Sequence, residues 1–111
     1  MPVRTFSLED DLWAIAPEGR LNLPASREME TALSQLLAQG RCRIVADFSA
    51  VTYLNSNSLK VLRSALRRAR KAGGDVRLAA LNPRVREIFE MAGLDQVFTV
   101  YEKAGEIVEK V

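Results

Sequence analysis

The sequence predicts an α/β fold: one domain over residues 1–111, with a mainly parallel sheet, an N-terminal antiparallel hairpin and about four helices. Three observations carry that expectation. Segments that alternate with period two take turns with segments whose apolar residues recur every three to four positions, the order in which crossover helices join parallel strands. Asparagine, serine or proline opens the main helical segments, and glycine closes them. The third is size, since 111 residues with 48% hydrophobic and 27% charged content suffice for one core.

Residues 3–8 put Val3, Thr5 and Ser7 on one side and Arg4, Phe6 and Leu8 on the other. Glu9-Asp10-Asp11 then turns the chain into the extended pattern of residues 12–16, and the two runs read as a hairpin. Residues 17–24 read as a loop, punctuated by Pro17, Gly19 and Pro24, with Leu21 and Leu23 facing water. From Ala25 onward Met29, Ala32, Leu33, Leu36 and Leu37 repeat at helical spacing until Gly40. Residues 41–48 are apolar enough for a central strand, and 49–55 form a connection of mixed character. A second helix starts near Ser56, shows Leu59, Leu62, Leu66 and Ala69 on one face, and stops at Gly73-Gly74. Residues 76–81 make a strand, and Asn82-Pro83 opens a short helix that Gly93 closes. A last strand over 97–101 and a terminal helix over 102–111, weakened by Gly105, complete the order. Ligands and partners of such sheets meet the loops at the carboxyl ends of the strands, here residues 17–24, 49–57 and 81–83.

Composition removes most chemistry. The chain has no histidine and a single cysteine, Cys42, so histidine-dependent nucleophilic catalysis, the usual zinc ligand sets and an internal disulfide are all excluded. No catalytic residue, metal ligand or cofactor is expected. The net charge of +2 does not call for nucleic acid. No apolar run approaches the roughly 20 residues that span a bilayer, and the N-terminus lacks a signal-like apolar stretch, so a cytoplasmic protein without membrane insertion is expected.

The chemically richest stretch is residues 47–59, Asp-Phe-Ser-Ala-Val-Thr-Tyr-Leu-Asn-Ser-Asn-Ser-Leu, where hydroxyls and amides crowd the start of a helix. A helix start offers unpaired N–H groups and the positive end of the dipole, which favour an attached phosphate. From the residues alone, the commoner use of a serine at this place is as an N-cap.

Those residues resemble the STAS domain, the family of anti-sigma factor antagonists and sulfate-transporter tails. The resemblance continues through residues 62–74, through Leu78-Ala79-Ala80-Leu81-Asn82-Pro83-Arg84-Val85 and through Met91-Ala92-Gly93-Leu94, and so covers almost the whole chain. It implies a protein without catalysis of its own that binds an anti-sigma factor of the serine-kinase type and frees a sigma factor. It also implies that the first serine of the helix start, Ser56 here, is phosphorylated to block binding. Leu21, Asn22, Leu23, Tyr53, Asn55, Asn57, Ser58 and Leu59 form the expected partner-binding set. Three positions depart from the family pattern. Asn22 and Asn55 replace aspartates, and Ser58 replaces a glycine and is expected to crowd a partner's approach.

Lys60, Arg63, Arg67, Arg68, Arg70 and Lys71 give the second helix six cations with no acid between Ser56 and Gly74, and a solvated face is the reading favoured over a nucleic-acid patch. Trp13 is expected to pack on the core and Cys42 to be an inert strand residue. Two other readings accompany the leading one. The first is a non-switching scaffold module of a stress-signalling assembly or a transporter accessory subunit, associating with itself or with other STAS proteins. The second, an enzyme built on Ser56 and Asp47, lacks a histidine relay.

Overall fold

A computed structural model describes residues 3–9 and 11–103. The chain runs β1 (Arg4–Glu9), β2 (Leu12–Ala16), β3 (Gly19–Leu21), α1 (Leu23–Ala38), β4 (Arg43–Asp47), β5 (Val51–Leu54), α2 (Ser56–Lys71), β6 (Asp75–Ala79), α3 (Pro83–Met91), a 3₁₀ turn (Leu94–Gln96) and β7 (Val100–Tyr101). The main sheet has the order β1-β2-β4-β6-β7. Only the β1–β2 hairpin is antiparallel; every other pair in it is parallel, with β4 in the centre. The expected α/β architecture is therefore present.

Period-two alternation divides the sheet residues between two faces. Ile15, Ile44, Ala46, Val76 and Leu78 join Met29, Leu33 and Leu36 of α1, Leu62, Leu66 and Ala69 of α2, and Val85 and Phe89 of α3 in the main core. Leu12, Ala14, Val45 and Ala79 form a smaller cluster on the opposite face. Phe89 ties the far end together, tilted against Phe48 at 6.3 Å and edge-on to Phe98 at 6.1 Å.

Each helix opens on an asparagine. The Oδ1 atoms of Asn22, Asn55 and Asn82 accept from the N–H groups of Ala25, Ser58 and Val85 at 3.1, 2.8 and 2.8 Å. Pro24 and Pro83 sit in the first turns of α1 and α3, where a missing N–H costs nothing.

Several expectations change. The supposed loop 17–24 contains β3, and the connection 49–55 contains β5; the two pair in parallel as a separate two-stranded sheet. Strands of three and four residues are too short to show alternation in a sequence. Helix α1 starts at Leu23 rather than Ala25, because Asn22 is its cap. The last strand is shortened to Val100–Tyr101, as residues 94–96 spend their backbone on a 3₁₀ turn. Three α-helices are found among the described residues. The expected terminal helix lies outside them from residue 104 on, and Glu102 and Lys103 are bends. Trp13 packs partly on the core, with the Arg41 guanidinium 3.9 Å from its ring centroid. Cys42 precedes β4 and is half-buried, its thiol directed at the Ala72 carbonyl at 3.7 Å.

At the pole away from the helix starts, Asp75 bridges Arg70 and Arg77 at 3.2 and 3.1 Å. The hydrogen bond that Arg77 donates to Asp75, helped by the Tyr101 hydroxyl, raises the Arg77 pKa above its ordinary value. Gly74 passes directly over Cys42, and a Cβ there would strike the Cys42 carbonyl. Gly74→Ala is therefore expected to lower stability by about 2 kcal/mol in urea denaturation. Ala80 holds a left-handed backbone, φ 62°, which disfavours a side chain. Ala80→Gly should raise the urea midpoint, corresponding to about 0.5–1 kcal/mol.

Candidate functional site

Strands β3 and β5 end in register, Leu21 opposite Leu54, and the next residue of each chain segment is a helix cap. Gly19 starts this arrangement. Its left-handed φ of 75° swings the chain off the main sheet, and its N–H donates to the Ala50 carbonyl at 2.7 Å. At the other end the Asn55 N–H donates to the Leu21 carbonyl at 3.3 Å. A third segment joins through the Asn82 side-chain amide, which donates to the Val51 carbonyl at 2.8 Å. The three segments expected at the carboxyl edge thus meet there.

The result is two helix N-termini side by side, with no acidic residue in the first turn of either. The N–H groups of Ser56 and Asn57 have no intrahelical acceptor, so the positive ends of α1 and α2 combine at this surface. Ser56 is exposed in the first turn of α2, and its hydroxyl bonds to no described residue. Capping does not account for it, because Asn55 is the cap. No hydrogen bond joins it to Asp47, whose carboxylate accepts the Ser49 N–H at 3.0 Å.

The expected partner-binding set divides by exposure. Asn22 and Leu23 are exposed, Leu23 at 44%, and Tyr53, Asn55, Asn57 and Leu59 are half-buried. Leu21 and Ser58 are corrections. Leu21 is 1% exposed, because β3 turns it into the core rather than toward water. Ser58 is fully buried, its hydroxyl donating to Asn55 Oδ1 at 2.9 Å and lying 3.4 Å from the Leu21 carbonyl. It braces the cap from inside and does not crowd an approaching partner. Asn57 reaches the other way, its amide donating to the buried Ser26 hydroxyl of α1 at 2.7 Å, which fixes the two helix starts to each other.

Other residues of this surface carried no sequence signal. The Arg20 guanidinium lies 4.5 Å from the Tyr53 ring centroid, a cross-strand cation–π contact that roofs the β3–β5 pair. Beside it opens a groove of about 390 Å³ lined by Glu18, Arg20, Asn22, Ala25 and Glu28. Met91, 82% exposed at the end of α3, is the most exposed large apolar side chain described. Among the described residues no group of side chains could hold a metal ion, and no helix is long and apolar enough to cross a membrane.

The profile of the STAS domain family matches residues 9–107, and the chain belongs to that family. It is 30% identical over 96 residues to BtrV of Bordetella bronchiseptica, designated an anti-sigma factor antagonist, covering 86% of this chain and 83% of BtrV. The fold is similar to the crystal structure of a protein from Thermotoga maritima assigned as an anti-sigma factor antagonist, with a TM-score of 0.87, 24% identity, and 99% and 92% of the two chains covered. It is also similar to the phosphorylated form of the Bacillus cell fate determinant SpoIIAA, with a TM-score of 0.79, 17% identity, and 97% of each chain covered.

The cap geometry gives a direct test of what holds the site. Asn55→Ala removes the acceptor of both the Ser58 N–H and hydroxyl, and should destabilise the fold by about 1–2 kcal/mol in chemical denaturation. Asn55→Asp keeps the acceptor and adds a charge favoured by the dipole, so its stability should equal or exceed that of the parent.

Proposed function

We propose that this chain is an anti-sigma factor antagonist whose binding to a serine-kinase anti-sigma factor is switched by phosphorylation of Ser56 in the cytoplasm. The observation that carries the reading is the Ser56 hydroxyl, exposed and unbonded to any described residue in the first turn of α2, with the start of α1 and its exposed Leu23 held to the same end of the molecule by the Asn57–Ser26 bond. In the dephosphorylated state the surface offers a neutral hydroxyl, amide side chains and an apolar anchor, which a partner can cover with little desolvation. The partner would bring ATP. The Ser56 oxygen attacks the γ-phosphorus, the new O–P bond forms as the bond to the β–γ bridging oxygen breaks, and ADP leaves. The hydroxyl proton passes to a base of the kinase, since Asn55 cannot accept it and no carboxylate among the described residues is hydrogen-bonded to Ser56.

The product carries close to two negative charges at the head of α2, where the dipole tolerates them. The helix therefore persists, and the change falls on the interface. A dianion buried against a surface fitted to a hydroxyl is desolvated without compensation, and the complex separates.

The reading is tested with an anti-sigma factor of the ATP-dependent serine-kinase type from the same organism as this chain. Incubation with ATP should place phosphate on Ser56 and nowhere on Ser56→Ala. Ser56→Asp should weaken binding by roughly tenfold or more while Ser56→Ala binds as the parent does, read by calorimetry. Absence of binding by the parent, or phosphate on another residue, overturns the proposal; equal binding by Ser56→Asp and the parent marks the non-switching module instead.

A further inference from the structure

The six cations of α2 are not equivalent. Arg68 donates to the Ser34 hydroxyl at 3.1 Å, and Arg70 binds Asp75 and the Val97 carbonyl, so both serve the fold. Lys60, Arg63, Arg67 and Lys71 are exposed and make no hydrogen bond or ion pair with any described residue. Their spacing of three, four and four residues places them within about 80° of arc on the helix, a single track about 16 Å long. Ser56 falls within the same arc, one turn before Lys60.

Like charges at these spacings repel, and Lys60 also lies near the positive end of the dipole. No acid in α2 offsets them. Such a track opposes folding locally, which in natural sequences is a mark of function. Beside its head, Leu59, Lys60, Arg63, Ala92 and Leu94 line a cleft of about 100 Å³, and Met91 projects from the end of α3 nearby. Arginine and methionine beside an apolar cleft have the composition of a protein interface. A nucleic acid would satisfy the cations and leave the cleft and Met91 uncovered.

We infer that this track is a docking surface for an acidic protein segment that carries an apolar side chain into the Leu59 cleft. The inference rests on the function proposed above and assigns the segment to the anti-sigma factor. Four cations in a row draw an acidic surface in over distance, so their effect falls on association and is screened by salt. The cleft acts only after contact, on the rate of separation.

The experiment compares the parent with the variant Lys60→Gln, Arg63→Gln, Arg67→Gln, Lys71→Gln in surface plasmon resonance against the same anti-sigma factor, at 50 and 300 mM NaCl. The parent's association rate should fall roughly tenfold over that range. The variant should associate roughly tenfold more slowly at 50 mM, with little salt dependence and a thermal midpoint no lower than the parent's. Met91→Ala should speed dissociation and leave association unchanged. Equal association rates and salt dependence in parent and variant overturn the inference while Ser56-dependent binding stands. Tighter binding of the parent to a 20-base-pair duplex than to the anti-sigma factor, lost in the variant, overturns it in favour of nucleic acid. If neither the parent nor Ser56→Ala binds the anti-sigma factor, the function proposed above fails and this inference fails with it.

Discussion

The parallel pairing of β3 with β5 is the constraint on which the functional surface depends. It involves seven residues, and its hydrogen bonds are ordinary backbone bonds. Its effect is geometric: two strands that end in register deliver two caps and two helix starts to the same place. The pairing is held from below by Leu21 and Leu54, whose complete burial is worth about 2 kcal/mol each, and from above by Arg20 lying over Tyr53. The leucine that sequence reasoning assigned to a partner is one that keeps the surface in shape.

The asparagine caps set the electrostatics of that surface. An aspartate at a helix start would cap as well and would also neutralise part of the dipole field. With Asn22 and Asn55 the geometry of capping is kept while the field is left open, and neither first turn contains an acid to close it. The exposed hydroxyl of Ser56 therefore occupies a position where added negative charge meets least resistance from the protein itself. The replacement of the family's aspartates is thus consistent with a working phosphate acceptor, provided the kinase supplies the base.

How legible all this was in the sequence follows the length of each element. Helices α1, α2 and α3 have caps, periodic apolar faces and glycine stops, and strands β4 and β6 have long apolar runs, so all five are readable with boundary errors of one or two residues. Strands β3 and β5 are not, because Gly19–Leu21 and Val51–Leu54 are too short to give alternation to count, and Gly19 is a turn residue. Losing those strands also loses the direction of the side chains on them, which is why Leu21 reads as exposed. Ser58 reads as exposed for a related reason: it lies on the N-terminal turn, and only its place beneath Asn55 and beside the Leu21 carbonyl turns its hydroxyl inward. At the head of α2 the sequence offers three neighbouring capping residues, Asn55, Ser56 and Asn57, and only the structure shows that Asn55 closes the helix and leaves Ser56 uncommitted.

That allocation of roles among neighbours decides what kind of switch the surface can be. Asn55 caps α2, Asn57 binds across to Ser26 of α1, and Ser58 braces Asn55, so the three side chains around Ser56 are all committed to holding the fold. A phosphate on Ser56 breaks none of those bonds. The positive helix end attracts the dianion, and the flanking amides, carrying no charge, do not repel it. Folding free energy is thus insensitive or slightly favourable to modification, and the free energy of the switch is expressed against whatever molecule covers the site. A serine that itself capped the helix would couple modification to unfolding of the first turn; here the two are separated, so the switch we propose is a change of surface charge on an unchanged scaffold.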